Sequence, residues 1–195
     1  MIEGIVNRIV GMMIEEQVID ESQKEDYRYY IHCMTESFIT ISSILIISCV
    51  LKNIIATAGF LLFFLALRKR TGGYHASTFG HCYLMTLVTY GFVVYLCQNI
   101  RFWQKYHWLG VIISSMIILV IGTVNHPDVH MTQSELKNAK EAARWMLMLE
   151  IGVLFFLKCM NASPIIITYL STAIVLCGIL LFFAKLIRQE VKTDE

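Results

Sequence analysis

The sequence predicts an all-α fold: a polytopic bundle of membrane helices preceded by an N-terminal amphipathic helix. Composition is the first observation behind this. Hydrophobic residues make up 56% of the chain, charged residues 16%, and the mean hydropathy is +0.61, whereas soluble domains run to about 45–50% apolar and about 25% charged. The second is distribution. Charges collect between six apolar segments, at about 37–51, 54–67, 83–97, 108–124, 145–157 and 164–187. The third is that only two prolines interrupt 195 residues, which leaves long helices unbroken. A net charge of +1, with no dense Lys/Arg run interleaved with aromatics, gives no footing for nucleic-acid binding.

Residues 1–20 read as an amphipathic helix, with Ile2, Ile5, Val6, Ile9, Val10, Met13 and Val18 at roughly helical spacing. Through Glu36 the chain carries eight acidic and three basic residues. A helix that binds anionic membranes has the opposite balance, so packing against the rest of the protein is the expectation. The organisation read from this is a cytoplasmic or interfacial helical segment over 1–36, a transmembrane helical domain over 37–187, and a cytoplasmic tail over 188–195. Residues 1–30 lack the apolar core and cleavage site of a signal peptide, so insertion is assigned to the spanning helices themselves.

A straight span needs about 20 residues, and only the last apolar segment is comfortably that long. The first two are separated by Lys52-Asn53 alone. As one helix they would extend about 46 Å, so they are read as a tight helical hairpin that thins the bilayer or extends into its polar flanks. The alternative is a re-entrant hairpin beside four full spans. With six spans and a cytoplasmic amino terminus, only Lys52, Arg101, Lys105 and Lys158 of the sixteen Lys and Arg residues fall outside. The positive-inside rule therefore favours both termini in the cytoplasm, with segment 68–82 and the 125–144 loop on the same side.

Segment 68–82, RKRTGGYHASTFGHC, departs from what a lipid-crossing helix requires: three cations, three glycines, two histidines and a cysteine stand between apolar flanks. Six cysteines are scattered without a CxxC pair, and nothing suggests a disulfide framework. Cys82 is singled out by position. A sulfur in the first turn of the third apolar segment meets free amide N–H groups and the positive end of the helix dipole, whereas Cys49 and Cys177 lie deeper. Either His75 or His81 supplies a base. Adjacent residues on a helix do not face each other, which counts against His81. His75 would stand about 10.5 Å from Cys82 along a continuous helix, too far for the roughly 3 Å contact that proton transfer needs. Gly72, Gly73 and Gly80 provide the backbone freedom to fold back. The bland alternative is a polar juxtamembrane flank in which Arg68, Lys69 and Arg70 only set topology.

Arg68, Gly73, His75 and Cys82 within this stretch resemble the signature of the accessory gene regulator B (AgrB) family, membrane cysteine endopeptidases of Gram-positive quorum sensing. The likeness extends over nearly the whole chain: an N-terminal helix, the motif after an apolar hairpin, and further spans. It implies His75 and Cys82 as the catalytic pair, supported by Arg68 and Gly73. It implies a small amphipathic AgrD-like propeptide as substrate, cut through a cysteine thioester and closed to a thiolactone or lactone by an internal thiol or hydroxyl. Lys69 and Arg70 would attract the acidic tail that the resemblance implies, and Pro127 would lie in the substrate-binding stretch, since Asn125-His126-Pro127-Asp128 resembles the family's proline-containing loop. Val129-His130-Met131-Thr132 departs from it. No cofactor or metal is implied; the expected partners are the propeptide and the bilayer, with pairing of two chains left open.

Three further features were weighed. His126 and His130 stand at i and i+4 with Asp128 between them, but no third ligand follows, and a solvated loop is preferred. Glu150 interrupts the fifth apolar segment, where a carboxylate is expensive; it marks a functional group, a shifted helix boundary, or the partner of a cation in the bundle. Trp145-Met146-Leu147-Met148 reads as a span start. The competing class for the whole chain is a transporter or structural membrane protein without peptidase activity.

Overall fold

The computed structural model describes residues 2–72, 79–99, 101–124 and 132–187. Among these, the regular elements are helices: α1 (Ile2–Glu15), α2 (Lys24–Val50), α3 (Ile54–Thr71), α4 (Phe79–Asn99), α5 (Arg101–Ile121), α6 (Gln133–Cys159) and α7 (Pro164–Leu186), with one 3-10 turn at Glu21–Gln23. The expected all-α bundle is what the chain forms. Four helical stretches, Glu21–Val50, Gly80–Asn99, Arg101–Ile121 and Pro164–Leu186, are long and apolar enough to cross a membrane. The chain is a multi-pass membrane protein.

The first apolar segment is the second half of a longer helix. No glycine or proline occurs between Lys24 and Val50, so nothing stops the helix at the polar-to-apolar transition, and α2 runs through positions 36 and 37 without a break. At 27 residues it is about 40 Å long, longer than the roughly 30 Å hydrocarbon layer. Its polar half projects from the bundle. There α1 packs on it through Val6 and Val10, joined by Ile19, in a small cluster with Tyr27 and Ile31. The hairpin to α3 turns at Leu51–Asn53, with Lys52 in the left-handed region (φ 57°).

α6 is built the same way. Thr132 caps its start: the Thr132 N–H and hydroxyl donate to Glu135 Oε2 at 2.9 and 2.8 Å, which holds the Glu135 carboxyl below its ordinary range. The polar turns from Gln133 to Arg144 precede the apolar segment.

α7 is the axis of the bundle. It is apolar around its whole circumference, and such a helix is stable only when covered on all sides. It packs against α3, α4, α5 and α6. Lipid tails are as apolar as leucine, so packing in a membrane depends on close backbone approach and on polar groups that find partners. Both are present. A Cβ added to Gly178 of α7 would lie 2.5 Å from the Ser114 Cβ of α5. The fully buried Tyr169 hydroxyl accepts from Asn53 Nδ2 at 2.8 Å and Gln98 Nε2 at 3.2 Å. The Thr172 hydroxyl accepts from Trp103 Nε1 at 2.9 Å and donates to the Thr168 carbonyl at 2.7 Å.

These bonds define one end of the bundle, where the α2–α3 turn, the α4–α5 junction and the α6–α7 turn gather. The C-terminus of α3 and the N-terminus of α4 lie at the other end.

Gly178→Ala is expected to lower stability by about 1–3 kcal/mol through overpacking, read as a lower thermal midpoint in detergent. Ser114→Gly should partly restore it by removing the Cβ that the new methyl meets. An unchanged midpoint in Gly178→Ala would mean that the α5–α7 contact is looser than the structure places it.

Candidate active site

α3 ends in three consecutive cations, Arg68, Lys69 and Arg70, and the reason it ends there is local. The Gly72 N–H donates to the Arg68 carbonyl at 3.0 Å, and Gly72 adopts φ 65°, ψ −148°, a conformation essentially restricted to glycine. The Arg68 guanidinium closes the same turn by donating to the Gly72 carbonyl. A strap across the bundle end completes it: α5 terminates at Gly122 (φ 74°), and the Val124 N–H donates to the Thr71 carbonyl at 3.3 Å. Thr71 is fully buried beneath this strap. Arg144 Nε donates to the Leu119 carbonyl at 3.2 Å, tying α6 to the same end of α5.

α4 runs from Phe79 to Asn99, so Cys82 lies in its first turn. Its side chain is exposed, and the Cys82 carbonyl accepts from Thr86 Oγ1 at 2.8 Å. One residue on, the Tyr83 hydroxyl donates to Ser43 Oγ of α2 at 3.0 Å, which fixes the rotation of α4 about its axis. Arg68 lies within electrostatic reach of both Cys82 and Cys177. The consecutive helices α3, through Arg68, and α4, through Cys82, thus place a cation and a thiol at the same end of the bundle.

The other candidates fall out as follows. Lys69 is exposed. Arg70 is half-buried and donates from Nη1 to the Ala66 carbonyl at 3.0 Å. His81 is exposed on α4 beside Cys82. Gly80 lies inside the first helical turn of α4 with open space around it; it supplies no bend, so any fold-back begins at Gly72. His75, Gly73, Pro127, His126 and His130 lie outside the described residues. Among those described, no three His, Cys, Asp or Glu side chains gather as a metal-ligand set.

Glu150 is a buried group of α6 and not a helix boundary. It is 2% exposed, and neither carboxylate oxygen has a hydrogen-bond partner among the described residues. Its charge is felt by Cys177 and it feels that of Arg70. The Cys177 thiol itself is buried and donates to the Phe64 carbonyl at 3.6 Å, one turn before Arg68, so it has no path to a substrate. The strap from Gly122 to Val124 was not visible in the sequence, because its one backbone bond joins residues that are distant along the chain.

The sequence model described as accessory gene regulator B matches residues 6–187 of the chain. No curated protein and no solved structure matches it.

Two substitutions probe the geometry of this end. Gly72→Ala is expected to destabilise by about 1–3 kcal/mol from backbone strain, aggravated by a Cβ placed 3.2 Å from the Val124 carbonyl oxygen. Glu150→Leu is expected to raise the thermal midpoint, because replacing a buried polar group that lacks a hydrogen-bond partner removes a desolvation cost of about 1–3 kcal/mol. A lower midpoint for Glu150→Leu would show instead that the carboxylate anchors the arginine end of α3.

Proposed function

The chain belongs to the accessory gene regulator B family, and from that premise we propose that it is a membrane-embedded cysteine endopeptidase acting on an AgrD-type propeptide. Membership itself carries a role in accessory gene regulator quorum sensing, as a peptide-processing protein of the membrane with a propeptide partner. The finer reading rests on one observation above all: an exposed thiol, Cys82, in the first turn of a helix at a bundle end that also holds Arg68 within electrostatic reach.

In this reading His75 takes the proton from the Cys82 sulfur as the sulfur attacks the carbonyl carbon at the cleavage point. The negative charge that develops on the carbonyl oxygen faces two stabilising features, the positive end of the α4 dipole and the Arg68 guanidinium. Collapse breaks the C–N bond, and His75 returns its proton to the leaving amine, which departs with the C-terminal part of the propeptide. The N-terminal part remains as a thioester on Cys82. An internal thiol or hydroxyl of that part then attacks the thioester carbonyl, loses its proton, and expels the Cys82 sulfur, which is reprotonated. The product is a thiolactone or a lactone. A site at a membrane-embedded bundle restricts water, which slows hydrolysis and favours the intramolecular nucleophile.

Lys69 and Arg70 flank Arg68 at the mouth of the site and would draw an acidic tail toward Cys82. Pro127 belongs to the loop that would meet the peptide. The same reading places both termini and the catalytic end on the cytoplasmic side, as the distribution of Lys and Arg favours.

Cys82→Ala is expected to abolish propeptide cleavage while leaving membrane insertion intact. His75→Ala should reduce cleavage by about 10²–10⁴-fold, the usual worth of a positioned general base. Cleavage is read by mass spectrometry of the propeptide in vesicles, with a hydroxylamine-sensitive acyl adduct on Cys82 as the positive signature. Normal cleavage by the Cys82→Ala variant would end the proposal.

A further inference from the structure

At the end of the bundle remote from Cys82, the first turns of α5 and the α6–α7 turn enclose a cavity of about 640 Å³. Its lining is unlike the lipid-facing surface. The Lys158 ammonium stands 4.7 Å from the centre of the Trp108 ring, close enough for a cation–π contact that limits where the charge can go. Asn161, in the left-handed region at φ 53°, closes α6 by donating its N–H to the Lys158 carbonyl at 3.1 Å. The chain then reverses, and α7 starts at the cavity wall. Pro164, which has no N–H, occupies its first position, the Ile166 N–H donates to the Ser163 carbonyl at 3.0 Å, and the Ser163 hydroxyl makes no capping bond. What this end of the 23-residue helix offers the space is the positive end of its dipole and not a row of free donors.

His107 adds an independent observation. It lines the cavity and is 6% exposed. Its Nδ1 is paired with the Gln104 carbonyl at 3.0 Å, so Nδ1 carries the proton and Nε2 holds a lone pair in the neutral ring. Nε2 has no partner among the described residues, and a buried polar atom without a partner beside a cavity calls for an occupant. No acidic side chain lines the space. A cation, a helix N-terminus and an unpaired acceptor together describe an anion that carries a hydrogen-bond donor nearby.

Depth narrows the class. The cavity sits where two membrane-crossing helices, Arg101–Ile121 and Pro164–Leu186, begin, which is headgroup level and not acyl-chain level. We propose that this cavity binds the phosphate of an anionic phospholipid headgroup, with the phosphate against Lys158 and the start of α7 and a headgroup hydroxyl donating to His107 Nε2. Free phosphate shares the anionic half of that chemistry. The site is separate from the catalytic reading and stands or falls without it. Occupied, it would join the beginnings of α5 and α7 to the end of α6.

The test uses the full chain in neutral detergent and follows the thermal midpoint as dioctanoyl phosphatidylglycerol, dioctanoyl phosphatidylcholine or sodium phosphate is added. Phosphatidylglycerol is expected to raise the midpoint at concentrations roughly tenfold or more below those at which phosphatidylcholine acts, the worth of one charge-assisted contact. Lys158→Ala should lose that preference. Lys105→Ala, which removes a neighbouring cation outside the cavity, should keep it. Ser163→Asp guards against a misfolding explanation: aspartate is a good N-cap, so the unliganded protein should melt no lower than the parent, yet its charge should repel the phosphate and abolish the response. A Lys158-dependent shift with sodium phosphate alone would support the anion site with free phosphate as its ligand. No shift with phosphate beside a shift with phosphatidylglycerol would support the lipid as the source. Equal responses to both lipids, or a full response in Lys158→Ala or in Ser163→Asp, would overturn the proposal in favour of water or acyl chain in the cavity.

Discussion

The approach of α5 to α7 at Ser114 and Gly178 is the contact on which the rest of the bundle depends. An added Cβ at Gly178 would be 2.9 Å from the Ser114 Cα, so the two helices meet at backbone distance. Gly110 repeats the pattern along the same seam, where a Cβ would lie 3.1 Å from Val175 Cγ2. Hydrophobicity alone does not drive helices together in lipid. Close approach does, because it multiplies dispersion contacts that lipid tails fill less well. Once α5 is seated on α7, its first turns carry Trp103 to Thr172 and its last residues carry Val124 to Thr71. One seam thus positions both ends of the molecule.

The two ends differ in kind. At the α6–α7 end, Asn53, Gln98, Tyr169, Trp103 and Thr172 bond one another across the helices, and a polar group satisfied inside lipid rigidifies what it joins; His107 Nε2 stands apart from that network beside the cavity. At the Cys82 end the side chains of Lys69, His81 and Cys82 are exposed, and Glu150 lacks a hydrogen-bond partner among the described residues. The proposed chemistry, which receives a charged peptide, calls for such accessible groups. α2 and α6 sharpen the asymmetry, since each is 27 residues long and begins with polar turns at the Cys82 end.

Much of this was legible because membranes punish polar groups so heavily that the sequence must separate them. The apolar segments at 83–97, 108–124 and 164–187 correspond to α4, α5 and α7, and the Lys52-Asn53 break marks a real turn. What hydropathy missed was where helices start. The segment at 37–51 carries no signal that α2 begins at Lys24, since helix continuation through polar residues needs only the absence of a breaker, and the one at 145–157 likewise hides the twelve capped residues of α6 before it. Gly80 misled for the opposite reason: glycine permits a bend without requiring one, and in the first turn of α4 its neighbours hold it helical. Cys82 could be placed in a first turn from local pattern. Its nearness to Arg68 could not, because that depends on how α3 and α4 pack against α7.

Gly72 ends the straight helix that α3 would otherwise continue into the motif holding the proposed pair, His75 and Cys82. Had α3 continued through the motif, His75 and Cys82 would have been separated by about 10.5 Å. Instead the helix is stopped at Thr71 by a glycine in a conformation that other residues avoid, by the Arg68 guanidinium folded back onto the Gly72 carbonyl, and by the strap from Val124. Arg68 therefore does two things with one charge. It terminates the helix on which it stands, and that termination leaves the same guanidinium within reach of the Cys82 thiol on the next helix. A lysine could supply the charge, but the fixed, forked donors of a planar guanidinium suit Arg68 to hold the Gly72 carbonyl while its charge stays at the Cys82 end.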